Sequence, residues 1–327
     1  MNREKPLVSI LINAYNAEHY IKDAIDSALA QTWPTIEIIV LDDDSTDHTP
    51  KIVRSYHSPQ LRYVHQEHQG LVGGRNRLLR EAHGEFLTWL DSDDIYLPEK
   101  VEQEAEYLLT HPNDDAVYCD TLYFFVGNPS KFYKYVRTHY SGKIFGQLLD
   151  GIFINNTAFM MRRSVVERVG YFDPTLGVVE DWAYFLKMAR QGMQFGYIDT
   201  PLLKCRLRED SLSSFKKKPL SKESIVATFQ WLSQNMNTSE RAQYHMETRI
   251  QGHYRQLGLA YLGARRKSEF FRAWQKGGEG WLWHAGSVLL YGIVLIIPGV
   301  WITRAIESAA RIRKHNFYVP AEKNMVS

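Results

Sequence analysis

The first hundred residues of this 327-residue chain alternate short β-branched runs with amphipathic stretches. This feature restricts the fold most, because it is typical of a parallel sheet whose strands are joined by crossover helices. The strand candidates are residues 8–12, 36–41, 61–65 and 85–90, and the helix candidates are residues 17–31, 47–56 and 71–82. The sequence therefore predicts an α/β fold with a Rossmann-like, mostly parallel sheet.

Beyond Pro98 the strict alternation ends. A helix to about Leu109 is followed by aromatic-rich extended segments at 116–126 and 131–136, which predicts a mixed sheet edge. Residues 221–276 have a helical pattern. We expect a catalytic domain at 1–215, a helical extension at 216–280 and an apolar segment with its tail at 281–327.

The segment at 281–302 contains one ionisable residue, His284. It is about long enough to cross a bilayer core, so an in-plane or re-entrant anchor, a spanning helix and a buried helix all remain open. Pro298, the flanking basic residues and the tryptophans favour shallow insertion at an anionic membrane surface. A spanning helix would export the basic residues that follow it, against the positive-inside tendency. The expected appendage is thus helical and membrane-associating.

The composition excludes a general attraction to polyanions. The chain has 39 lysines and arginines against 37 aspartates and glutamates, so nucleic acid is not an expected partner. The opening residues MNREKPLVSI contain no apolar stretch of signal-peptide length, and Cys119 and Cys205 are far apart. These features fit a reducing cytoplasm, with the protein peripheral on, or anchored to, the cytoplasmic membrane face. We expect both cysteines to be small buried side chains rather than a disulfide or metal pair.

Polar loops follow three of the predicted strands, where ligands bind in doubly wound sheets. Seven aspartates lie on two of these loops and would raise one another's pKa unless cations or hydrogen-bond donors compensate them. They are Asp42, Asp43, Asp44, Asp47, Asp91, Asp93 and Asp94. Asp47 precedes a helix and has the alternative role of a helix cap. The sequence therefore predicts a divalent cation, Mn²⁺ or Mg²⁺, at this sheet edge.

The triplet Asp91-Ser92-Asp93 is the strongest metal candidate, because its alternate residues can aim two carboxylates at one ion. Two common phosphate-binding motifs are absent from the sequence: the Gly-x-Gly-x-x-Gly loop and the P-loop. The remaining glycine cluster, at residues 70–76, includes Arg75, which is predicted to contact phosphate or base. A glycine turn with a surface arginine is the alternative.

Glu180 and Asp181 begin a helical pattern at 180–190. Acids at a helix start are favoured by the helix dipole, so capping is one interpretation. The functional interpretation is a general base that deprotonates an acceptor hydroxyl.

Together these motifs resemble glycosyltransferase family 2, the inverting enzymes with the GT-A fold, over residues 6–213. The matching segments are residues 8–16, Asp42-Asp43, Gly74-Arg75-Asn76, Asp91-Ser92-Asp93, and Gly170-Tyr171-Phe172-Asp173 followed by Glu180-Asp181. The resemblance implies transfer from a nucleotide-sugar, a UDP-sugar, to a glycan or lipid-linked acceptor.

The resemblance also implies roles for individual residues. Asp181 is the implied base, and Asp93, with Asp91, holds the metal. Asp43 contacts the uracil. The donor and acceptor region includes Glu180, Trp182 and Arg208. The implied nucleotide contacts are Ala14, Tyr15, Asn16, Asp43, Arg75 and Ser92.

The sequence departs from the family at two positions. Asp44 stands where the family usually has glycine, and Arg208 where histidine is frequent, which leaves the third protein ligand of the metal open. Two other functions remain open. One is a degenerate sugar-nucleotide binding or assembly protein, and the other is a nucleotidyltransferase, which would release pyrophosphate.

Overall fold

The computed structural model describes residues 4–135, 138–208, 218–264, 266–277 and 318–320. Among these residues no helix is both long and apolar enough to cross a membrane. The segment at 281–302 lies outside the described residues, so the membrane-associating appendage stays a prediction.

The described residues form a ten-stranded sheet. Its strands are β1 (Val8–Ala14), β2 (Ile36–Asp42), β3 (Leu61–His65), β4 (Phe86–Trp89), β5 (Ile95–Tyr96), β6 (Ala116–Phe125), β7 (Asn128–Tyr135), β8 (Phe159–Arg162), β9 (Phe195–Leu207) and β10 (Tyr318–Pro320). The order along the main path is β10-β7-β6-β8-β4-β1-β2-β3, and β9 pairs with β5 and β6. Strands β4, β1, β2 and β3 lie next to one another and run parallel. Strand β8 is antiparallel to β4 and β6, and β7 is antiparallel to β6, which confirms the predicted mixed edge.

Helices cover both faces of the parallel part. The helices are α1 (Ile21–Leu29), α2 (Thr49–Arg54), α3 (Gly70–Glu81), α4 (Lys100–Thr110), α5 (Phe145–Asp150), α6 (Ser164–Val169), α7 (Glu180–Arg190), α8 (Lys218–Gln234), α9 (Thr238–Gln243), α10 (Met246–Gly263) and α11 (Lys267–Lys276). Central strand β1 is buried on both faces, because Ile10, Leu11 and Ile12 are all at most 1% exposed. This is the pattern expected of a parallel strand between two helical layers.

The apolar residues of helix α1 lie on the one face of the helix that packs on the sheet. Ile21, Ala24, Ile25 and Ala28 recur at helical intervals, and all four are fully buried. They pack with strand residues such as Ile38 in one apolar cluster.

The chain divides into two compact units. Among the described residues, one unit comprises 4–135, 138–174, 180–208 and 318–320, and the other comprises 175–179, 218–264 and 266–277. The second unit has its own apolar cluster, in which Phe270 and Trp274 of α11 pack with Tyr254 and Leu257 of α10 and Val226 of α8. The domain boundaries expected after residues 215 and 280 remain a prediction.

Candidate functional site

Three strand-end loops meet at one edge of the sheet. Ala14 at the end of β1 is paired with Asp42 at the end of β2, and Leu11 of β1 is paired with Trp89 at the end of β4. The loops that follow β1, β2 and β4 therefore share the carboxyl edge, as the alternating pattern predicted. This edge is where ligands bind in such sheets.

The loops after β1 and β2 are joined by hydrogen bonds between backbone and side chains. Asn16, which has a left-handed φ of 49°, donates from its backbone N–H to Ser45 Oγ at 2.9 Å. Its Oδ1 accepts from the backbone N–H of Thr46 at 2.9 Å. Because each loop satisfies polar groups of the other, the two form one preorganised wall.

Asp47 binds the first residue of α2 and also holds the loop after β1. Its Oδ1 accepts from the Thr49 N–H at 2.9 Å, and its Oδ2 accepts from the Glu18 N–H at 3.0 Å. Burial raises the pKa of Asp47, but hydrogen bonds from Thr49 and Glu18 outweigh it and lower the pKa below the ordinary value. Hydrogen-bond donors, one of the two forms of compensation expected for the acidic loops, are thus present at Asp47. Asp47 binds the first backbone N–H of α2, whereas His48 occupies the N-cap position without a side-chain capping bond.

Asp43 is 1% exposed and binds the segment that leads into α3. Its carboxylate accepts from the backbone N–H groups of Gln69 and Gly70, both at 2.9 Å, and from Gln66 Nε2 at 2.6 Å. His68 Nδ1 lies 2.9 Å from Asp43 Oδ2. These contacts fix the carboxylate and the loop at residues 66–70 together.

Tyr15 and His68, which contacts Asp43, form an aromatic pair. Their ring centroids are 4.4 Å apart, and Tyr15 is 50% exposed. The half-exposed Tyr15 ring offers a planar base a stacking surface, whereas both oxygens of the buried Asp43 carboxylate already accept from the segment at residues 66–70.

Arg75 is buried, with 4% of its surface exposed. The alternative of a surface arginine is therefore wrong. Its Nη1 lies 2.8 Å from Glu180 Oε1, and its Nη2 lies 3.6 Å from Asp91 Oδ1. The guanidinium carbon is also 5.6 Å from the ring centroid of Trp89 and 5.7 Å from that of Phe172. Arg75 thus joins the end of β4 to the start of α7.

The acidic triplet after β4 is held by two arginines of the Cys205–Arg208 segment. Arg206 donates from its backbone N–H to Asp94 Oδ1 and from Nε to the carbonyl of Asp93, both at 2.9 Å. Arg208 Nε lies 3.2 Å from Asp93 Oδ2. Burial and the charge of Asp91 raise the pKa of Asp93, and Arg208 opposes that rise. The site therefore carries an excess of negative charge.

The carboxylates of Asp91 and Asp93 suit a divalent cation of the kind that also takes phosphate oxygens as ligands. Within the described ranges no group of three histidine, cysteine, aspartate or glutamate side chains is arranged to hold a metal. Mg²⁺ and Mn²⁺ sites in phosphate chemistry, however, use one or two carboxylates and take the rest from the substrate and water. Burial first, and the charge of Asp91 second, raise the pKa of Asp93, and a cation bound by both carboxylates would favour their ionised forms.

Asp181 lies at the start of α7 beside Glu180. It is partly exposed, and its Oδ1 accepts from the backbone N–H of Trp182 at 2.7 Å. Burial raises its pKa and so does the charge of Asp91, while Arg75 lowers it. An aspartate with a raised pKa is a stronger base than an exposed one, as general base catalysis requires.

Trp182 is buried at 5% exposure, and its indole N–H donates to the carbonyl of Leu148 at 2.8 Å. This bond ties α7 to α5. Ser92, by contrast, is partly exposed on the triplet loop.

Asn76 clamps the segment at residues 170–173 onto α3. Its Oδ1 accepts from the Phe172 N–H and its Nδ2 donates to the Phe172 carbonyl, both at 2.9 Å. Since Phe172 leads toward α7, Asn76 and Arg75 together hold the base-bearing side of the site from one helix.

The Asn76→Ala substitution should lower the free energy of unfolding by about 1–3 kcal/mol, because it leaves two backbone groups of Phe172 without partners. Urea unfolding is the measurement. Asn113→Ala, at an exposed position, is the control and should change stability by less than about 0.5 kcal/mol. Equal stability of the two variants would show that the clamp is unimportant.

Several contacts of the site have no signal in the sequence. No pattern in the sequence points to Gln66, His68 and Arg206, although each contacts one of the aspartates predicted to form the site. Arg206 and Asp93 are 113 residues apart, and no local periodicity reports such a pair.

Comparisons with known proteins agree with this geometry. A family model described as Glycosyl transferase family 2 matches residues 9–170. An uncharacterised glycosyltransferase of Rickettsia prowazekii is 31% identical over 256 residues, which cover 71% of this chain and 79% of the relative. The UDP-Glc:alpha-D-GlcNAc-diphosphoundecaprenol beta-1,3-glucosyltransferase of Escherichia coli is 31% identical, covering 66% of this chain and 83% of the relative. The chain spans 60% of another relative, from Rickettsia typhi.

Two solved structures share the fold. Residues 1–349 of S. aureus TarS, in complex with UDP-GlcNAc, match with a TM-score of 0.60 at 18% identity, over 83% of this chain and 80% of that one. A mannosyltransferase from Pyrobaculum calidifontis, in complex with GDP-Man and Mn²⁺, matches with a TM-score of 0.57 at 18% identity, over 92% and 84% of the two chains. At these identities the likeness shows the fold alone.

Proposed function

The chain belongs to glycosyl transferase family 2, and from that premise we propose that it moves a sugar from a UDP-sugar to a hydroxyl group of a glycan or lipid-linked acceptor. The observation that carries the proposal is the position of Arg75, whose guanidinium contacts Asp91 on one side and Glu180 on the other. The donor-side acids and the neighbour of the proposed base therefore meet at a single side chain.

The donor nucleotide is assigned to the wall formed by the loops after β1 and β2. Tyr15, whose ring packs on His68 at a tilt of 35°, would lie against the base, and Asp43 would contact the uracil. The choice of a UDP-sugar rests on the relatives, since the Escherichia coli relative is named for UDP-Glc and TarS was solved with UDP-GlcNAc.

The proposed reaction is one in-line displacement. The acceptor oxygen attacks the anomeric carbon, the bond from that carbon to the diphosphate breaks, and the acceptor proton passes to Asp181. The diphosphate leaves with one more negative charge. An α-linked donor then gives a β-linked product.

Asp91 and Asp93 are the residues proposed to hold Mn²⁺ or Mg²⁺. A bound cation would neutralise charge on the leaving diphosphate. Arg208, beside Asp93, places a second positive charge at the same point. The Pyrobaculum structure with GDP-Man and Mn²⁺ supports a metal in this fold.

A thermal-shift screen of UDP-glucose, UDP-N-acetylglucosamine and GDP-mannose, with and without Mn²⁺, tests donor class and metal use together. A donor at one hundred times its Kd should stabilise the protein by about 2.7 kcal/mol, because only the native state binds it. The Mn²⁺-dependent part of this shift should disappear in Asp93→Asn.

The control for this screen is Asp44→Asn, an exposed acid on a neighbouring loop that should keep the Mn²⁺-dependent shift. An unchanged Mn²⁺ response in Asp93→Asn would remove Asp93 from the metal site. Release of pyrophosphate, rather than UDP, would identify a nucleotidyltransferase instead.

A further inference from the structure

A buried polar cluster joins the two ends of the loop that carries the acidic triplet. It draws on β4, β5, α4 and β6, and each of its side chains is at most 4% exposed. Its members are Thr88, Tyr96, Lys100, Glu104 and Cys119. Lysine and glutamate are rarely buried so completely. Neither the metal site nor the proposed base uses any of these residues.

The hydroxyl of Tyr96 closes the acidic loop at its base. Trp89 precedes the loop and Tyr96 follows it, and the Tyr96 O–H donates to the Trp89 carbonyl. Burial, and then the charge of Glu104, raise the pKa of Tyr96 well above its ordinary value, so the hydroxyl keeps its proton and remains a donor. Inside the loop, the Asp94 N–H donates to the Asp91 carbonyl at 3.0 Å. Two nested hydrogen bonds therefore define the loop.

The backbone of Tyr96 is anchored on the side away from the triplet. Its N–H donates to Ser27 Oγ of α1 at 3.1 Å. Strand β5 is also paired with β9, where Tyr96 lies opposite Leu203. Because the residue is 3% exposed and held by two other elements, the position of its hydroxyl is fixed. The carbonyl of Trp89, which accepts from that hydroxyl, is fixed with it.

Lys100 supports Tyr96 from α4. Its Nζ lies 4.3 Å from the centroid of the Tyr96 ring and donates to Thr88 Oγ1 at 2.9 Å. Thr88 Oγ1 in turn lies 3.0 Å from the Tyr96 hydroxyl and donates to the Phe159 carbonyl at 2.9 Å. Glu104 is the ion-pair partner of Lys100. The ammonium group thus contacts both the Tyr96 ring and the side chain beside its hydroxyl.

Stability alone is a poor explanation for this ion pair. Desolvation of two buried charges largely offsets their attraction. Burial raises the pKa of Glu104 to about 7, although Lys100 opposes the rise, so the cost of burying the carboxylate exceeds the gain from its partner. The geometry has a clearer consequence, because Trp89 is two residues from Asp91. A shift of the Trp89 carbonyl would displace Asp91 and, beyond it, Asp93.

We propose that Tyr96 is a positioning residue for the metal-binding loop and that Lys100 keeps its hydroxyl in place. Both act through the backbone of Trp89, which leads to Asp91 and Asp93, and neither coordinates the ion. The inference rests on the metal site of the proposed function. It makes Mn²⁺ affinity depend on a tyrosine hydroxyl outside the coordination sphere.

The test is Tyr96→Phe, which keeps the ring and removes the hydroxyl. Mn²⁺ affinity is measured by EPR titration at one UDP concentration for every variant, and UDP affinity is measured without metal. Loss of a bond that orients metal ligands should weaken Mn²⁺ binding by about 10-fold, with metal-free UDP binding within twofold of wild type. Tyr107→Phe is the matched control, since the Tyr107 hydroxyl donates to Asp114 at 2.9 Å, and it should change neither affinity.

Hydrogen exchange examines the same loop without any metal. In the metal-free protein the Asp94 N–H should exchange about fivefold faster in Tyr96→Phe than in wild type, because the loop loses one of its two closing bonds. The rate should be unchanged in Tyr107→Phe.

The proposal is overturned if the Mn²⁺ affinity of Tyr96→Phe stays within twofold of wild type, if metal-free UDP binding weakens equally, or if Tyr107→Phe loses as much. Should Tyr96→Phe not fold, Lys100→Met combined with Glu104→Gln, which leaves no charge buried, takes its place with the same expected and contradicting results. A wild-type protein that binds no Mn²⁺ contradicts the proposed metal site instead. The exchange rates then decide whether Tyr96 positions the loop.

Discussion

Asp181→Asn should lower kcat by about 10²- to 10⁴-fold while leaving the affinity for the UDP-sugar within about twofold of wild type. Asparagine keeps the shape of the side chain, and its Oδ1 still accepts from the Trp182 N–H, so the start of α7 is preserved. What it removes is the basic oxygen that takes the acceptor proton. Single-turnover transfer with saturating donor separates this loss from a binding defect.

The pH dependence of transfer checks the same assignment. Burial and the charge of Asp91 raise the pKa of Asp181, and a base works only when deprotonated. The wild-type rate should therefore fall as pH decreases through this raised pKa, and Asp181→Asn should lose that limb of the profile. Glu167→Gln, an exposed acid on α6, should keep both rate and profile. Wild-type turnover in Asp181→Asn would exclude it as the base.

The parallel strands could be predicted from the sequence because they are short, β-branched and buried. The structure begins β1, β2 and β3 at the predicted residues, Val8, Ile36 and Leu61. Helix α1 was predicted from residue 17 but begins at Ile21. The reason is tertiary, since the Ala17 and Glu18 N–H groups bind the side chains of Thr49 and Asp47.

The site was predictable only in part, for a related reason. The acidic loops could be located because they follow predicted strands, and parallel strands bring their carboxyl ends to one edge of the sheet. Burial of Arg75 was not predictable, since its partner Glu180 is 105 positions away in the sequence.

Arg75→Met should lower the free energy of unfolding by about 3–5 kcal/mol, because it leaves Glu180 buried without its counter-charge. Arg75 and Glu180 are 5% and 3% exposed in their side chains, so solvent screens their ion pair little. Methionine preserves much of the packing between Trp89 and Phe172. Chemical denaturation of each variant, monitored by circular dichroism, gives the difference in stability.

A double-mutant cycle separates the ion pair from the packing. Arg75→Met with Glu180→Gln should recover much of the stability lost in Arg75→Met alone, since no buried charge is then unpaired. Because Arg75 lowers the pKa of both Glu180 and Asp181, its loss should also move the acidic limb of the transfer profile to higher pH, a shift that a purely structural role would not produce. Additive stability changes with an unmoved pH profile would mean that Arg75 does not couple the donor side to the base. Coupling in both measurements would make Arg75 the positioning residue that holds Asp181 in reach of a donor bound at Asp91.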